Sequence, residues 1–464
     1  MAGALKRMND CLSQYYRCPE RYLRFALKGP LSGAGGYFRF GTETLYGRFS
    51  NRNLSEDPAE TLPDALLETT VDSGTTYLPF DLAQVVDSLR CEQYAQNGSI
   101  GPVIGKAALK RLYYLVRPLM PVAIRKHLQQ LNLTGWEKVK FPQWPVDRTV
   151  DNVFEHLLLL ALRSSCEERI PFIWFWPEGA SSCAIVTHDV ETVAGRDACA
   201  HLMDIDDSFG IKAAFQVVPE ERYEVTAEFL KSIISRGFEL GVQDLNHDGH
   251  LYRSQQEFRS RAEKINAYGR QWGVEGFRAA VLYRRQEWFD ALKFSFDMSV
   301  PNVAHLDPQH GGCCTVMPYF VGKMLELPVT TTQDYMLFHL LNNYSTDLWK
   351  QQIRLIMEKN GLISFIVHPD YVMASREKAI YKELLAHLAK LRDEEGVWIA
   401  LPDEVNRWWR QRAEMKLVED GQVLRLEGEG SERACIAYAS EKEGRLTFAV
   451  QEASSAGEIR QAHA

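Results

Sequence analysis

The sequence predicts an α/β protein: a central distorted β/α barrel, a mixed α/β region before it and a small antiparallel β-sheet after it. Three observations predict this. From about residue 183, short apolar runs alternate with amphipathic helical stretches, the rhythm of a mostly parallel sheet with crossover helices. Roughly seven or eight such runs fit a ring better than a short open sheet, because each βα unit covers one sector. Past Trp409 the pattern changes to short polar-flanked strands separated by glycine turns, as in a small antiparallel sheet. The chain has 464 residues, 45% of them hydrophobic and 25% charged, which excludes a disordered, collagen-like or membrane-embedded protein. Its formal net charge of −8 works against a broad electrostatic grip on nucleic acid or anionic lipid.

Residues 1–145 form the first region. It opens with a helix and continues through LSGAGGYFRFGTETLYGRF, where the alternation from Tyr37 to Phe40 reads as strand. A polar connection over 51–64 follows. The basic stretch KAALKRLYYLVRPLMPVAIRKHLQQL then shows helical apolar spacing between prolines. Such a stretch could touch a membrane or an acidic partner, or pack its apolar face inward and solvate its charges.

The barrel is expected over 146–412. The segment FPQWPVDRTVDNVFEHLLLLALRSS passes from an aromatic, proline-interrupted loop into a helix. Strands are predicted in CAIVTHDV, KAAFQVVP, FELGV, GFRAAVL, FSFDMSV, LELPVT, LISFIVHPD and VWIALP, with helices at 197–207, 226–236, 255–272, 345–359 and 376–392. The last region, 413–464, carries strands in MKLVED, QVLRLEG, ACIAYAS and RLTFAV, and its tail SSAGEIRQAHA has too few apolar groups to order itself.

Nine cysteines, an odd number with no CxxC pair, read as mostly reduced core residues, the adjacent Cys313 and Cys314 included. The first 25 residues hold no continuous apolar segment of the secretory kind, so a cytoplasmic location is expected. The apolar cluster from Leu157 to Leu162 is far shorter than the roughly 20 residues that cross a bilayer.

In a β/α barrel, reactive groups collect where strands end, so the polar residues just after apolar strands are the places to search. The first strand ends in Thr187, His188, Asp189, Val190 and Glu191, two carboxylates two positions apart that can divide metal binding and proton transfer, or simply cap the next helix. The third unit crowds Gln243, Asp244, His247, Asp248 and His250 beyond its strand, and residues four apart such as Gln243 and His247 can clasp one ion. Later strands contribute Arg278, Asp297 and His368, and Thr330, Thr331 and Thr332 end another near the expected mouth. Trp144, Trp174 and Trp176 read as a sugar-stacking platform or as core.

In this order the motifs resemble those of the polysaccharide deacetylase superfamily, carbohydrate esterase family 4, over about residues 183–402. THDVET is similar to the first motif, which implies Asp189 as base and Glu191 as metal ligand. GFELGVQDLNHDG is similar to the second, normally a histidine pair four apart; His247 matches its second member and Gln243 stands at the first. GFRAAVLY is similar to the third, which makes Arg278 the residue that orients the base, with Ala280 where proline is typical. Asp297 falls in a segment like the fourth motif and would support the catalytic groups. FIVHPDY is similar to the fifth, with His368 as general acid.

The resemblance implies the polysaccharide deacetylase type of barrel and a metal-dependent hydrolase that removes an N- or O-acetyl group from a carbohydrate. The implied metal is divalent, zinc foremost. A carboxamide at 243 weakens a zinc site, and oxygen-rich ligation with help from Asp244, His250 or His188 would favour magnesium, manganese or calcium. The expected partner is an acetylated amino sugar or glycan precursor, with no nucleic acid and no transmembrane segment. Gln243 equally motivates the alternative of a lapsed deacetylase-like protein, its metal lost, that binds a glycan or protein without turnover.

Overall fold

The computed structural model describes residues 2–59, 61–96, 135–165, 167–420, 423–451 and 459–462. The basic stretch over 106–131 lies outside these residues. Among the described residues no helix is long and apolar enough to cross a membrane.

The fold is mixed α/β, organised on a nine-stranded sheet. Its order is Tyr319–Val321, Met324–Glu326, Phe296–Asp297, Gly276–Arg278, Glu239–Gln243, Ala214–Val217, Cys183–Val190 and Leu362–Val367, with Trp398–Ile399 also paired to Cys183–Val190. Every pairing is parallel except that of Tyr319–Val321 with Met324–Glu326. All eight residues of Cys183–Val190 and all six of Leu362–Val367 are buried, as unbroken apolar runs should be in a parallel sheet covered on both faces. The chain beyond Met324–Glu326 reaches the other side of the sheet: Thr331 N donates to Ser364 O at 3.3 Å and Ser364 N donates to Thr330 Oγ1 at 2.9 Å. The chain leaving Met324–Glu326 therefore returns to Leu362–Val367.

Helices connect the strands. Val193–Ser208 starts four residues before the expected 197, because Thr192 caps it by accepting from Gly195 N at 2.9 Å. Ala227–Ile234, Gln255–Trp272, Asp347–Met357 and Ser375–Glu395 lie where helical periodicity placed them, with ends moved by up to three residues. FSFDMSV and VWIALP supply only two paired residues each, Phe296–Asp297 and Trp398–Ile399.

Parallel register gathers the strand ends on one rim. Val367 pairs with His188, so His368 emerges beside Asp189, and Gln243 pairs with Arg278. Alternation along the strand sends Thr187 and Asp189 to one face and His188 to the other.

The flanking regions are built together rather than apart. Ile436–Lys442 pairs with Arg169–Ile173, a short run ahead of the main sheet, and the four-stranded sheet continues through Arg445–Gln451 to Ile459–Ala462. The tail expected to fray thus contributes an edge strand, since backbone pairing needs no apolar side chains. Lys416–Asp420 and Val423–Glu427 form a separate hairpin. One core joins Phe38, Phe154, Phe172, Trp408 and Phe448, residues from all three stretches of the sequence. Trp174 and Trp176 belong to the interior, 1% and 0% exposed, each donating its indole N–H to a carbonyl, of Ala180 and Asn360 respectively. The eight described cysteines are free, and six are buried.

Candidate functional site

Asp189, at the end of Cys183–Val190, is 4% exposed and held on both oxygens. Its Oδ1 lies 2.6 Å from Arg278 Nη1, and its Oδ2 accepts from Gln243 Nε2 at 3.1 Å. Arg278 is aimed by its other contacts: Nη1 also donates to Thr187 Oγ1 at 2.7 Å and Nε to Met298 O at 3.0 Å, while Nη2 is buried without a partner among the described residues. A guanidinium fixed in this way keeps the carboxylate oriented.

Glu191 stands at the centre. Its Oε1 accepts from Gln243 Nε2 at 3.0 Å, lies 2.7 Å from His247 Nε2 and 3.6 Å from His368 Nε2. The contact with His247 is short but lacks the alignment of a hydrogen bond. Burial pushes the Glu191 carboxyl up, but His247 and then His368 outweigh it and hold the group well below the usual carboxylate value. The effect is reciprocal. Burial lowers both imidazoles, yet Glu191 raises His247 above 6.5, and Asp334 followed by Glu191 raises His368 well above it.

His247 reaches the rim through a loop with left-handed backbone at Asp244 (φ 51) and His247 (φ 54), rare for side chains of this size. The loop is pinned by Asp248, which accepts from Arg261 Nη1 at 2.7 Å and Nη2 at 2.8 Å, and by Asp244 N donating to Arg278 O at 2.8 Å. Arg222 closes over it, with Nη2 donating to His247 O and lying 3.2 Å from His247 Nδ1.

His368 is fixed from behind by Asp334: Nδ1 lies 2.7 Å from Oδ1, and the His368 N–H donates to Oδ2 at 2.7 Å. Sequence reasoning missed Asp334. The available signal was its position, two residues beyond the Thr330–Thr332 run that ends a strand. Asp297, expected to support the catalytic groups, turns elsewhere. It accepts from Ser299 N and Oγ at 2.9 and 2.8 Å and shares a hydrogen bond with Glu326. Burial pushes both acids up, Asp297 less than Glu326, and Ser299 in turn accepts from Ala279 N next to Arg278.

The auxiliary donors lie away from this centre. His188 faces the opposite side of its strand, with Nε2 3.0 Å from Asp206 Oδ2. His250 is half exposed beside Asp248, and Asp244 accepts from Leu245 N at 2.7 Å. The residues brought together are Asp189, Glu191, Gln243, His247, Arg278 and His368. Ligand atoms of Asp189, Glu191 and His368 lie within 4.8 Å of one another.

These groups fit a divalent cation. Gln243 Oε1 is buried without a partner among the described residues, and two carboxylates face the charge that His247, 2.7 Å from Glu191 Oε1, now supplies, so a cation would find compensating charge here. Glu191, His247 and Gln243 would hold the ion; in the structure the Gln243 amide presents Nε2 to Asp189 and Glu191.

No family model and no curated protein matches this chain. Solved structures do show likeness to polysaccharide deacetylase-like proteins. A Mycobacterium smegmatis protein named as a polysaccharide deacetylase is 17% identical, with 54% of this chain and 98% of that one covered at a TM-score of 0.43. A CE4 family pseudoenzyme from Bacillus anthracis is 16% identical, covering 48% of this chain and 65% of that one, with a TM-score of 0.30. A family 4 acetyl xylan esterase from Clostridium thermocellum, in complex with cobalt, is 15% identical over 49% of this chain and 91% of that one, with a TM-score of 0.31.

Proposed function

We propose that the chain is a metal-dependent hydrolase on a distorted β/α barrel, of polysaccharide deacetylase type, that removes an N- or O-acetyl group from a carbohydrate. The observation that supports it is the pair of buried, separately anchored proton carriers on one rim: Asp189 held by Arg278, and His368 held by Asp334. When bound, a divalent ion polarises the acyl oxygen and acidifies a water molecule.

Asp189 takes the proton from the attacking water as the oxygen–carbon bond forms, and Arg278 keeps that carboxylate charged and aimed. The acyl carbon–nitrogen or carbon–oxygen bond then breaks. His368, its Nδ1 on Asp334, delivers a proton from Nε2 to the departing amine or alcohol, and acetate is the second product. Asp334 is a positioning residue: it fixes the tautomer and keeps the imidazole protonated, which a general acid requires.

A second reading is favoured by two contacts. Gln243 Nε2 donates to both Asp189 and Glu191, as an ion would bridge them, and Arg222 faces His247 Nδ1, where metal-bound histidines usually donate to an acceptor. A protein so wired would bind a glycan or protein partner without turnover. Elemental analysis of the purified chain, with acetate release from acetylated amino sugars, separates the two. Bound metal and turnover lost in His247→Ala support the hydrolase. Zinc binding gained only in Gln243→His, with no wild-type turnover, supports the lapsed protein.

A further inference from the structure

The loop between the strand Ala214–Val217 and the helix Ala227–Ile234 carries none of the proton transfers, yet it touches both the strand that leads to Glu191 and the loop that carries His247. Two adjacent residues make these contacts. The Tyr223 hydroxyl donates to Val190 O at 2.6 Å and accepts from Val218 N at 3.1 Å, so it bridges the ends of two parallel strands, and Val190 directly precedes Glu191. Arg222 turns the other way. Its Nε donates to Asn246 O at 3.1 Å and its Nη2 to His247 O, which leaves Nη2 3.2 Å from His247 Nδ1. Glu220 adds a third tie: its N donates to Leu245 O at 2.9 Å, and its Oε1 accepts from Tyr268 OH at 3.2 Å. The chain turns at Glu221, whose backbone is left-handed (φ 67), just ahead of the pair.

We propose that Arg222 and Tyr223 are positioning residues of the metal side with opposite signs: Tyr223 holds Glu191 within reach of His247 and so supports a cation, whereas Arg222 occupies the rear of the His247 ring and opposes it. The inference rests on the reading of Glu191, Gln243 and His247 as the ligands of a metal-dependent hydrolase. It makes the loop a strap that sets the ligand spacing and carries its own brake on cation uptake.

The two signs follow from what each group offers. A phenol hydroxyl that donates to one strand and accepts from the next closes the gap between them, and its loss leaves the Val190 carbonyl and the Val218 N–H without that partner just before Glu191. A histidine bound to a metal through one nitrogen donates from the other, usually to a carboxylate, a carbonyl or water. Arg222 presents only N–H groups and positive charge at that position, so it disfavours the proton on the second nitrogen and repels an ion on the far side of the ring. Arg222 is exposed, so water can take over its hydrogen bonds when a cation binds, whereas Tyr223 is half-buried and packs its ring 6.5 Å from that of Phe229.

The test titrates the full chain with zinc against a chromogenic chelator, with circular dichroism to confirm folding. Tyr223→Phe weakens zinc binding about tenfold, the usual loss when an outer support of a metal site is removed. Arg222→Met, neutral and of similar length, tightens it at least about threefold, and Arg222→Lys, which keeps the charge, stays near the wild-type value. The opposite signs separate positioning from damage, because a loop that is merely disrupted weakens binding in every variant. The same three substitutions in the Gln243→His background, where a second imidazole adds affinity, keep the same order.

Unchanged or weaker zinc binding in the folded Arg222→Met protein overturns the brake, and unchanged binding in Tyr223→Phe overturns the strap. Absence of zinc binding from the wild-type, Arg222→Met and Gln243→His chains alike overturns both. Failure of the hydrolase reading has another signature: the zinc affinities keep the expected order while no chain releases acetate. Conversely, acetate release by a wild-type chain whose zinc affinity is indifferent to both residues sinks the inference and leaves the hydrolase standing.

Discussion

The two halves of the rim are built differently. On one side, Asp189 and His368 are each locked to a buried ion-pair partner, Arg278 and Asp334, at 2.6 and 2.7 Å. On the other, Gln243 and His247 crowd Glu191, and the Gln243 carboxamide oxygen is buried without a partner among the described residues. In the proposed hydrolase the first half would carry the proton transfers and the second would hold the cation.

The comparison breaks most visibly at the proton carriers. Asp189→Asn and His368→Gln should each lower acetate release by about 10³-fold, within the usual span for general acid–base groups, with the circular dichroism spectrum unchanged. Retained turnover in either variant would remove the first half from the mechanism.

Asp334→Asn should cost less, about 10²-fold, and carries a sign. Asp334 is the main influence raising His368, so its loss lowers the imidazole pKa. A general acid works while protonated, and activity is lost as pH rises through its pKa. The alkaline limb of the pH–rate profile should therefore move to lower pH in the variant. A limb that stays in place would show that His368 is not the acid it reports.

Gln243→His sharpens the other half. Restoring an imidazole should tighten zinc binding by at least about tenfold, read by competition with a chromogenic chelator. An unchanged affinity would mean that His247 and Glu191 do not form the metal side.

The smallest effect lies outside the rim. Burial pushes the Asp307 carboxyl up to about 7, with Arg284 lowering it and Glu92 raising it. A raised carboxyl stabilises the fold at pH below its unfolded value, and this contribution is lost as pH rises through about 7. Asp307→Asn should flatten the decline of thermal stability between pH 4 and 8, a change on the order of 1–3 kcal/mol in a denaturant titration. A slope identical to the wild type would assign the pH dependence to other groups.

The strand ends were legible because a parallel sheet puts them on one rim and their polar residues interrupt apolar runs. Asp189, Glu191, Gln243, His247, Arg278 and His368 were among the residues that rule gathers, and the motif resemblance picked them out from the others. Asp334 was not among them. It lies 34 residues before His368, and only the return of the chain from Thr331 to Ser364 brings the two together. Asp297 stands at a strand end as that rule asks, and its turn toward Ser299 and Glu326 depends on packing that one strand cannot reveal. The strand Arg169–Ile173 was hidden for a similar reason: its partner Ile436–Lys442 lies more than 260 residues away, and Pro171 within it argues locally against a strand. Trp144 was left open between platform and core, and the structure separates it from the interior Trp174 and Trp176.

Where the chain beyond Met324–Glu326 meets Leu362–Val367, a few hydrogen bonds between Thr330, Thr331 and Ser364 zip the two together. Asp334 sits three residues beyond this zipper, so fraying there would withdraw the anchor of the acid before any strand of the sheet melts. Slow deuterium uptake at the Ser364 amide is thus expected to track the catalytic competence of His368, tying the mechanical integrity of the closure to the chemistry on its rim.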